Sequence, residues 1–81
     1  MKVRQLLFAL YRDLAGTGEL DLELPDGATA ADAVRALRAT RAECARIPAA
    51  PVIAVNQDYA PLETRLSGGD EVALLPPVAG G

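Results

Sequence analysis

Hydrophobic and polar positions alternate along this chain with two different periods. Residues 2–8, KVRQLLF, have the Val, Leu and Phe content of a strand. In ALYRDLAG, Leu10 and Leu14 stand one helical turn apart, Arg12 and Asp13 fall on the other side, and Gly16 sits where a C-cap belongs, which predicts a short helix. The leucines of ELDLEL, residues 19–24, alternate with Glu19, Asp21 and Glu23, the period of a strand with one dry face and one wet. PDG then makes a turn. From Thr29 the period changes: Thr29 can cap a helix with Asp32 in its first turn, Ala30, Ala33, Val34 and Leu37 form an inner stripe, and Asp32, Arg35 and Arg38 point outward. RAECAR either continues this helix or restarts it. Pro48 and Pro51 bracket a stop before VIAVN, residues 52–56, read as a strand. A tight turn at Asn56-Gln57-Asp58, a short segment around Leu62, a turn at SGGD and a last strand EVALL, residues 71–75, complete the chain. The expected organisation is α+β, a mixed sheet with one main helix across one face.

The strands differ in how much surface they leave for water. Residues 19–24 have a charged face. In the other three, Leu6 with Phe8 opposes Leu7, Ile53 opposes Val52, and Leu75 opposes Val72 with Leu74, so apolar side chains point both ways. One helix covers one face only. Burying each such residue is worth about 1.5–3 kcal/mol, so Leu75, Leu7 and Ile53 are expected on a second face that a partner covers, the alternative being cover by the short helix and loops.

At 81 residues the chain is one small domain, burying only about 60% of its unfolded surface. Eight basic against eleven acidic residues give a net charge of −3, so neither a nucleic-acid nor an anionic-membrane footprint is expected, and no apolar run has membrane-spanning or signal-peptide character. A cytosolic protein is expected. The chain has no His, which removes imidazole bases, Cys-His and Ser-His nucleophile pairs and His-liganded metal sites. Its single Cys44 can neither form an internal disulfide nor hold a cluster, and reads as a small, partly buried residue. LSGGDE lacks the Lys-Ser/Thr pair of a phosphate-cradling loop.

What remains is the end of the chain, LLPPVAGG. Pro76 and Pro77 have no N–H donors, so they end the ladder of the last strand and favour an extended exit. Four residues beyond Pro77 reach about 13–14 Å if extended, and the last two have no Cβ to bar them from a narrow channel. The terminal carboxylate is ionised and a poor electrophile at neutral pH, so another enzyme must activate it, most simply by adenylation with ATP. The acyl adenylate can then accept sulfur. A chain used in this way needs no catalytic side chains of its own.

LSGGDEVALLPPVAGG at 66–81, VN at 55–56 and LLFALYRDLAG near the start together resemble the small, sulfur-carrier subunits of molybdopterin synthase, over essentially the whole chain. The resemblance implies a ubiquitin-like β-grasp domain at 1–77, with first and last strands parallel at the centre of the sheet, and an extended Gly-Gly tail at 78–81. It implies that Gly81 is adenylated by an E1-like enzyme, becomes a thiocarboxylate with sulfur from a sulfurtransferase, and enters the large subunit of a synthase of two small and two large subunits. There the sulfur passes to cyclic pyranopterin monophosphate to build a dithiolene. Gly80 is implied to line the channel, Phe8, Leu75 and Pro77 to lie near the partner, and Arg12 to meet an acidic partner residue. No bound cofactor is implied, since ATP is used by the activating enzyme. The chain departs from the family pattern at Leu74-Leu75, where aromatic residues are common, and at Ala79, where Ser or Thr is common. Carriers for thiamine, cysteine or tRNA thiolation would have nearly the same tail, and a non-covalent β-grasp binding module is the reading from another class. The cysteine count excludes a ferredoxin.

Overall fold

The computed structural model describes residues 1–77; the tail assigned to 78–81 lies outside them. β1 (Lys2–Leu7) ends one residue earlier than its apolar run; Phe8, still extended, stands at the N-cap position of α1 (Ala9–Ala15), with no side-chain capping bond. Gly16, at φ +77°, closes that helix in the left-handed region with its N–H returned to the Arg12 carbonyl. β2 (Glu19–Glu23) then runs antiparallel to β1.

α2 (Ala30–Arg38) begins at a reciprocal cap, in which the Thr29 N–H donates to Asp32 Oδ2 at 2.9 Å and the Asp32 N–H donates to Thr29 Oγ1 at 3.3 Å. Such caps contribute about 1 kcal/mol. RAECAR does not prolong this helix; Ala42–Arg46 forms a separate 3₁₀ helix. Two arginines tie it down: Arg38 Nε donates to the Ile47 carbonyl at 2.7 Å, and Arg41 Nη1 to the Ala15 carbonyl at 3.2 Å.

β3 (Val52–Val55) and β4 (Asp58–Ala60) form a hairpin. Its two turn residues, Asn56 and Gln57, both have positive φ, 50° and 75°, which matches the twist of the strands they join. The sequence pattern marks this turn but not β4, whose three residues are too few to show a period. β5 (Glu71–Leu75) closes the sheet.

Among the described residues the strand order is β2-β1-β5-β3-β4, with β1 and β5 parallel at the centre and the other pairs antiparallel. This is the ubiquitin-like β-grasp arrangement, a mixed sheet with one main helix across one face. Ala30, Ala33, Val34 and Leu37 of α2 share the core with Val3, Leu7, Leu22, Ile53, Val72 and Leu74 of the sheet. Gln5 faces the same way, wholly buried, and its amide finds no hydrogen-bond partner among the described residues.

The expectation for the second face is corrected at two of its three residues. Leu7 and Ile53 are 1% exposed and belong to the core, whereas Leu75 is on the other face and half-buried. Strand pairing explains the difference: Leu7 sits beside Leu74, and Ile53 pairs with Leu74 from the other side, so all three turn toward α2.

Candidate functional site

The sheet face away from α2 has two unlike halves. Across β2 and the start of β1 and β5 it is charged: Lys2 lies opposite Glu23, and Arg4 opposite both Asp21 and Glu71. Arg4 Nε approaches Asp21 Oδ1 at 3.9 Å, an exposed pair of little energetic weight. Further along the strands the same face turns apolar. Leu6, Ala73, Ala54 and Tyr59 form one row across four strands, and Leu75 with Val52 forms the next.

Phe8, Val52 and Tyr59 are 45%, 59% and 80% exposed, which leaves three large apolar side chains in water beside the exit of β5. They take part in a groove of about 670 Å³. Phe8 and Tyr11 line it from the β1–α1 junction, Pro48, Ala50 and Pro51 from the segment before β3, Val52 and Tyr59 from the hairpin, and Leu75, Pro76 and Pro77 from the end of the described chain. The only polar side-chain atoms that these residues offer are the hydroxyls of Tyr11 and Tyr59. Such a lining binds apolar surface. A second apolar depression shares Pro51, Val52 and Tyr59 with it and runs on to Pro61 and Leu62.

Of the residues singled out in the sequence, Phe8, Leu75 and Pro77 are brought together in this groove. Arg12 is not in its lining; it is exposed on α1, and a Cβ at Gly18 would lie 3.5 Å from its Nε. Gly80 and Gly81 lie outside the described residues. Val52 and Tyr59 were missed, the first because its register partner Leu75 is known only from the pairing, the second because β4 was not recognised. The available signal for Tyr59 was the two-residue Asn-Gln turn, which places it opposite Ala54.

Cys44 is more buried than expected, at 0% exposure, with Thr40 Oγ1 3.5 Å from its sulfur and its thiol directed at the Leu14 carbonyl at 3.9 Å. No cluster of three or more His, Cys, Asp or Glu side chains able to hold a metal occurs among the described residues, and no helix among them is long and apolar enough to cross a membrane.

Three carboxylates have pKa values lowered from the ordinary, all outside the groove. Asp32 is lowered by the Thr29 N–H and then by Arg35, whose Nη1 donates to it at 2.6 Å. Glu43 falls to about 2, chiefly through its hydrogen bond from Arg41. Asp70 is lowered by the Ser67 N–H and by the amide of Asn56. These groups secure loops and helix ends; none faces the exit of β5.

Comparison with known proteins places these features in a family. The model of the ThiS family matches residues 5–81. A molybdopterin synthase sulfur carrier subunit from Chlamydomonas reinhardtii is 36% identical over 83 aligned positions, covering 100% of both chains. Among solved structures, SAMP1 from Haloferax volcanii superposes with a TM-score of 0.88 at 27% identity over 100% of both chains. A protein–protein complex of subunits 1 and 2 of the molybdopterin-converting factor from Helicobacter pylori contains a chain that matches with a TM-score of 0.69 at 26% identity, again over 100% of both.

Proposed function

We propose that this chain, which belongs to the ThiS family, serves as the sulfur carrier subunit of a molybdopterin synthase. The observation that carries the reading is the apolar groove at the exit of β5, where Leu75, Pro76 and Pro77 share one lining with Phe8, Val52 and Tyr59. In this reading the reacting carboxylate belongs to Gly81, four residues or about 13–14 Å at full extension beyond Pro77, so a partner that takes it into its active site stands over that groove. The groove gives such a partner apolar surface to cover at the place where the tail departs.

The chemistry follows from the carboxylate of Gly81. An E1-like enzyme joins it to the AMP part of ATP with loss of pyrophosphate; a sulfurtransferase persulfide displaces AMP at the acyl carbon to give an acyl disulfide, which a thiol reduces, with release of a disulfide, to leave the thiocarboxylate. The carrier then binds the large subunit, as the Helicobacter pylori complex of subunits 1 and 2 supports, in an assembly of two small and two large subunits in the cytosol. There the thiocarboxylate sulfur is given to cyclic pyranopterin monophosphate. Gly80 lines the entry channel, Phe8, Leu75 and Pro77 contact the partner, and Arg12 meets an acidic partner group at the margin.

A second reading is favoured by the likeness to a small archaeal modifier protein, with a TM-score of 0.86. A modifier would use the same activated carboxylate to acylate a protein amine. Intact-mass analysis after incubation with ATP, an activating enzyme and a sulfur source separates the readings. Replacement of one oxygen by sulfur on the C-terminal peptide supports the carrier, and transfer of that sulfur to the pterin precursor singles out the synthase over thiamine, cysteine or tRNA pathways. An amide-linked adduct supports the modifier, and an unchanged mass leaves a non-covalent binding module.

A further inference from the structure

The strand that delivers the tail fixes its register by alternation in one direction only. Val72 and Leu74 of β5 face the core while Ala73 and Leu75 face outward. Were β5 to slide forward, Glu71 would enter the core, which forbids that slip. Were it to slide back by one residue, Ala73 and Leu75 would face inward and Val72 and Leu74 outward, and both faces would still be apolar. Alternation therefore opposes only one of the two slips. The other leaves one extra residue in the Ser67–Asp70 turn, where Gly68 and Gly69 could absorb it.

Pro76, which would take Leu75's place opposite Val52 without an N–H to donate, and a set of polar contacts oppose the slip that alternation permits. Asn56 Nδ2 donates to Asp70 Oδ1 at 3.0 Å, Asn56 Oδ1 accepts the Glu71 N–H at 3.0 Å, and the Asn56 N–H donates to the Glu71 carbonyl at 2.8 Å. Asp70 Oδ2 accepts the Ser67 N–H at 2.8 Å and the Asp70 N–H donates to the Ser67 carbonyl at 3.0 Å, closing the turn at four residues. Asn56 itself stands at φ 50°, where asparagine and glycine are at home. After a backward slip Glu71 would occupy the place of Asp70 with its carboxylate one methylene further from the backbone, and the bridge that Asp70 makes between Asn56 and the turn would be broken.

We propose that Asn56 and Asp70 are positioning residues that lock β5 in register and so set how far the C-terminal carboxylate reaches, an inference that rests on the carrier reading. A backward slip retracts everything after β5 by one residue, about 3.3 Å. It leaves an apolar residue at each outward position, so docking persists while delivery fails.

The test uses the full chain with and without one extra glycine between Ala79 and Gly80, in wild type and in Asn56→Gly, which keeps the positive φ but removes both side-chain bonds. Thiocarboxylate formation is measured against carrier concentration. Asn56→Gly should lower kcat about tenfold or more with KM within about twofold, since misplacing a reacting group by about 1 Å already costs up to two orders of magnitude. The extra glycine should slow wild type yet restore much of the rate of Asn56→Gly. Asn56→Asp, which keeps the acceptor for Glu71 but sets a carboxylate against Asp70, should show the same rescue and serves if the glycine variant does not fold. An extra glycine that slows every background alike, or an unchanged kcat, overturns the lock. Backbone amide relaxation dispersion gives a readout independent of sulfur chemistry: exchange along β5 and its partners in β1 and β3 supports the lock, and perturbation confined to residues 56–58 and 67–71 overturns it. If wild type accepts no sulfur, the carrier reading fails and the dispersion result alone decides the lock.

Discussion

β5 shows both faces of the sheet side by side: Val72 and Leu74, wholly buried with α2, alternate with Ala73 and Leu75, half-buried on the other side. β3 repeats the contrast with Ile53 at 1% exposure next to Val52 at 59%. The residue types on the two sides are the same, so hydrophobicity does not decide which side closes; the placement of α2 does. β2 shows what a face meant for water looks like, with Glu19, Asp21 and Glu23 along it. The outer face of β5 and β3 departs from that pattern at the end of β5, and under the carrier reading this apolar surface is the surface for a partner.

The contrast breaks most visibly at the two adjacent leucines. Leu74→Ala should cost about 2–5 kcal/mol in chemical denaturation, because it empties a core position, while Leu75→Ala should cost less than about 1 kcal/mol, since that side chain is partly exposed outside the core. Leu75→Glu should fold and melt close to wild type yet bind the large subunit about a hundredfold more weakly, read by titration calorimetry, because a carboxylate is stranded in the interface. Equal destabilisation at 74 and 75 would make the two faces one core and remove the basis for a docking surface.

Within the closed face, Gln5 is the one buried polar side chain without a partner among the described residues. Gln5→Leu should therefore raise unfolding stability by about 1–2 kcal/mol and leave partner binding unchanged. At the edge of that face, Thr29→Ala should lower stability by about 1 kcal/mol through loss of the α2 cap. Acid should act on the same anchoring groups. Asp32, Glu43 and Asp70 all have depressed folded pKa values, so their contributions are complete above their ordinary values of 3.8, 4.5 and 3.8 and are lost as pH falls, for Glu43 down to about 2. Melting temperatures measured from pH 6 to pH 2 should fall only below about pH 5. The smallest effect is expected at Cys44, buried and away from the groove: Cys44→Ser should retain thiocarboxylate formation.

Much of this was legible in the sequence, and the rest was not for definite reasons. Alternation in ELDLEL fixed the wet face of β2, and Thr29 with Asp32 marked the start of α2, because each signal is local. Leu7 and Ile53 were assigned to the wrong face because strands apolar on both sides give no inward direction until their partners are known. Tyr59 needed the hairpin register, set by two residues in the left-handed region that are neither glycine. The groove joins residues from four separate stretches between Phe8 and Pro77, and no spacing in one dimension announces it. The terminal Gly-Gly, by contrast, is legible only in the sequence.

The separation of fold from chemistry is tested most directly by deleting Gly81. Removing it draws the carboxylate back by one residue, about 3.3–3.6 Å, and takes away no side chain. Thermal unfolding of the full-length and shortened proteins is to be measured alongside thiocarboxylate formation on the C-terminal peptide. The account predicts equal melting and loss of the thiocarboxylate by two orders of magnitude or more. A shortened protein that still accepts and delivers sulfur at the full-length rate would contradict it.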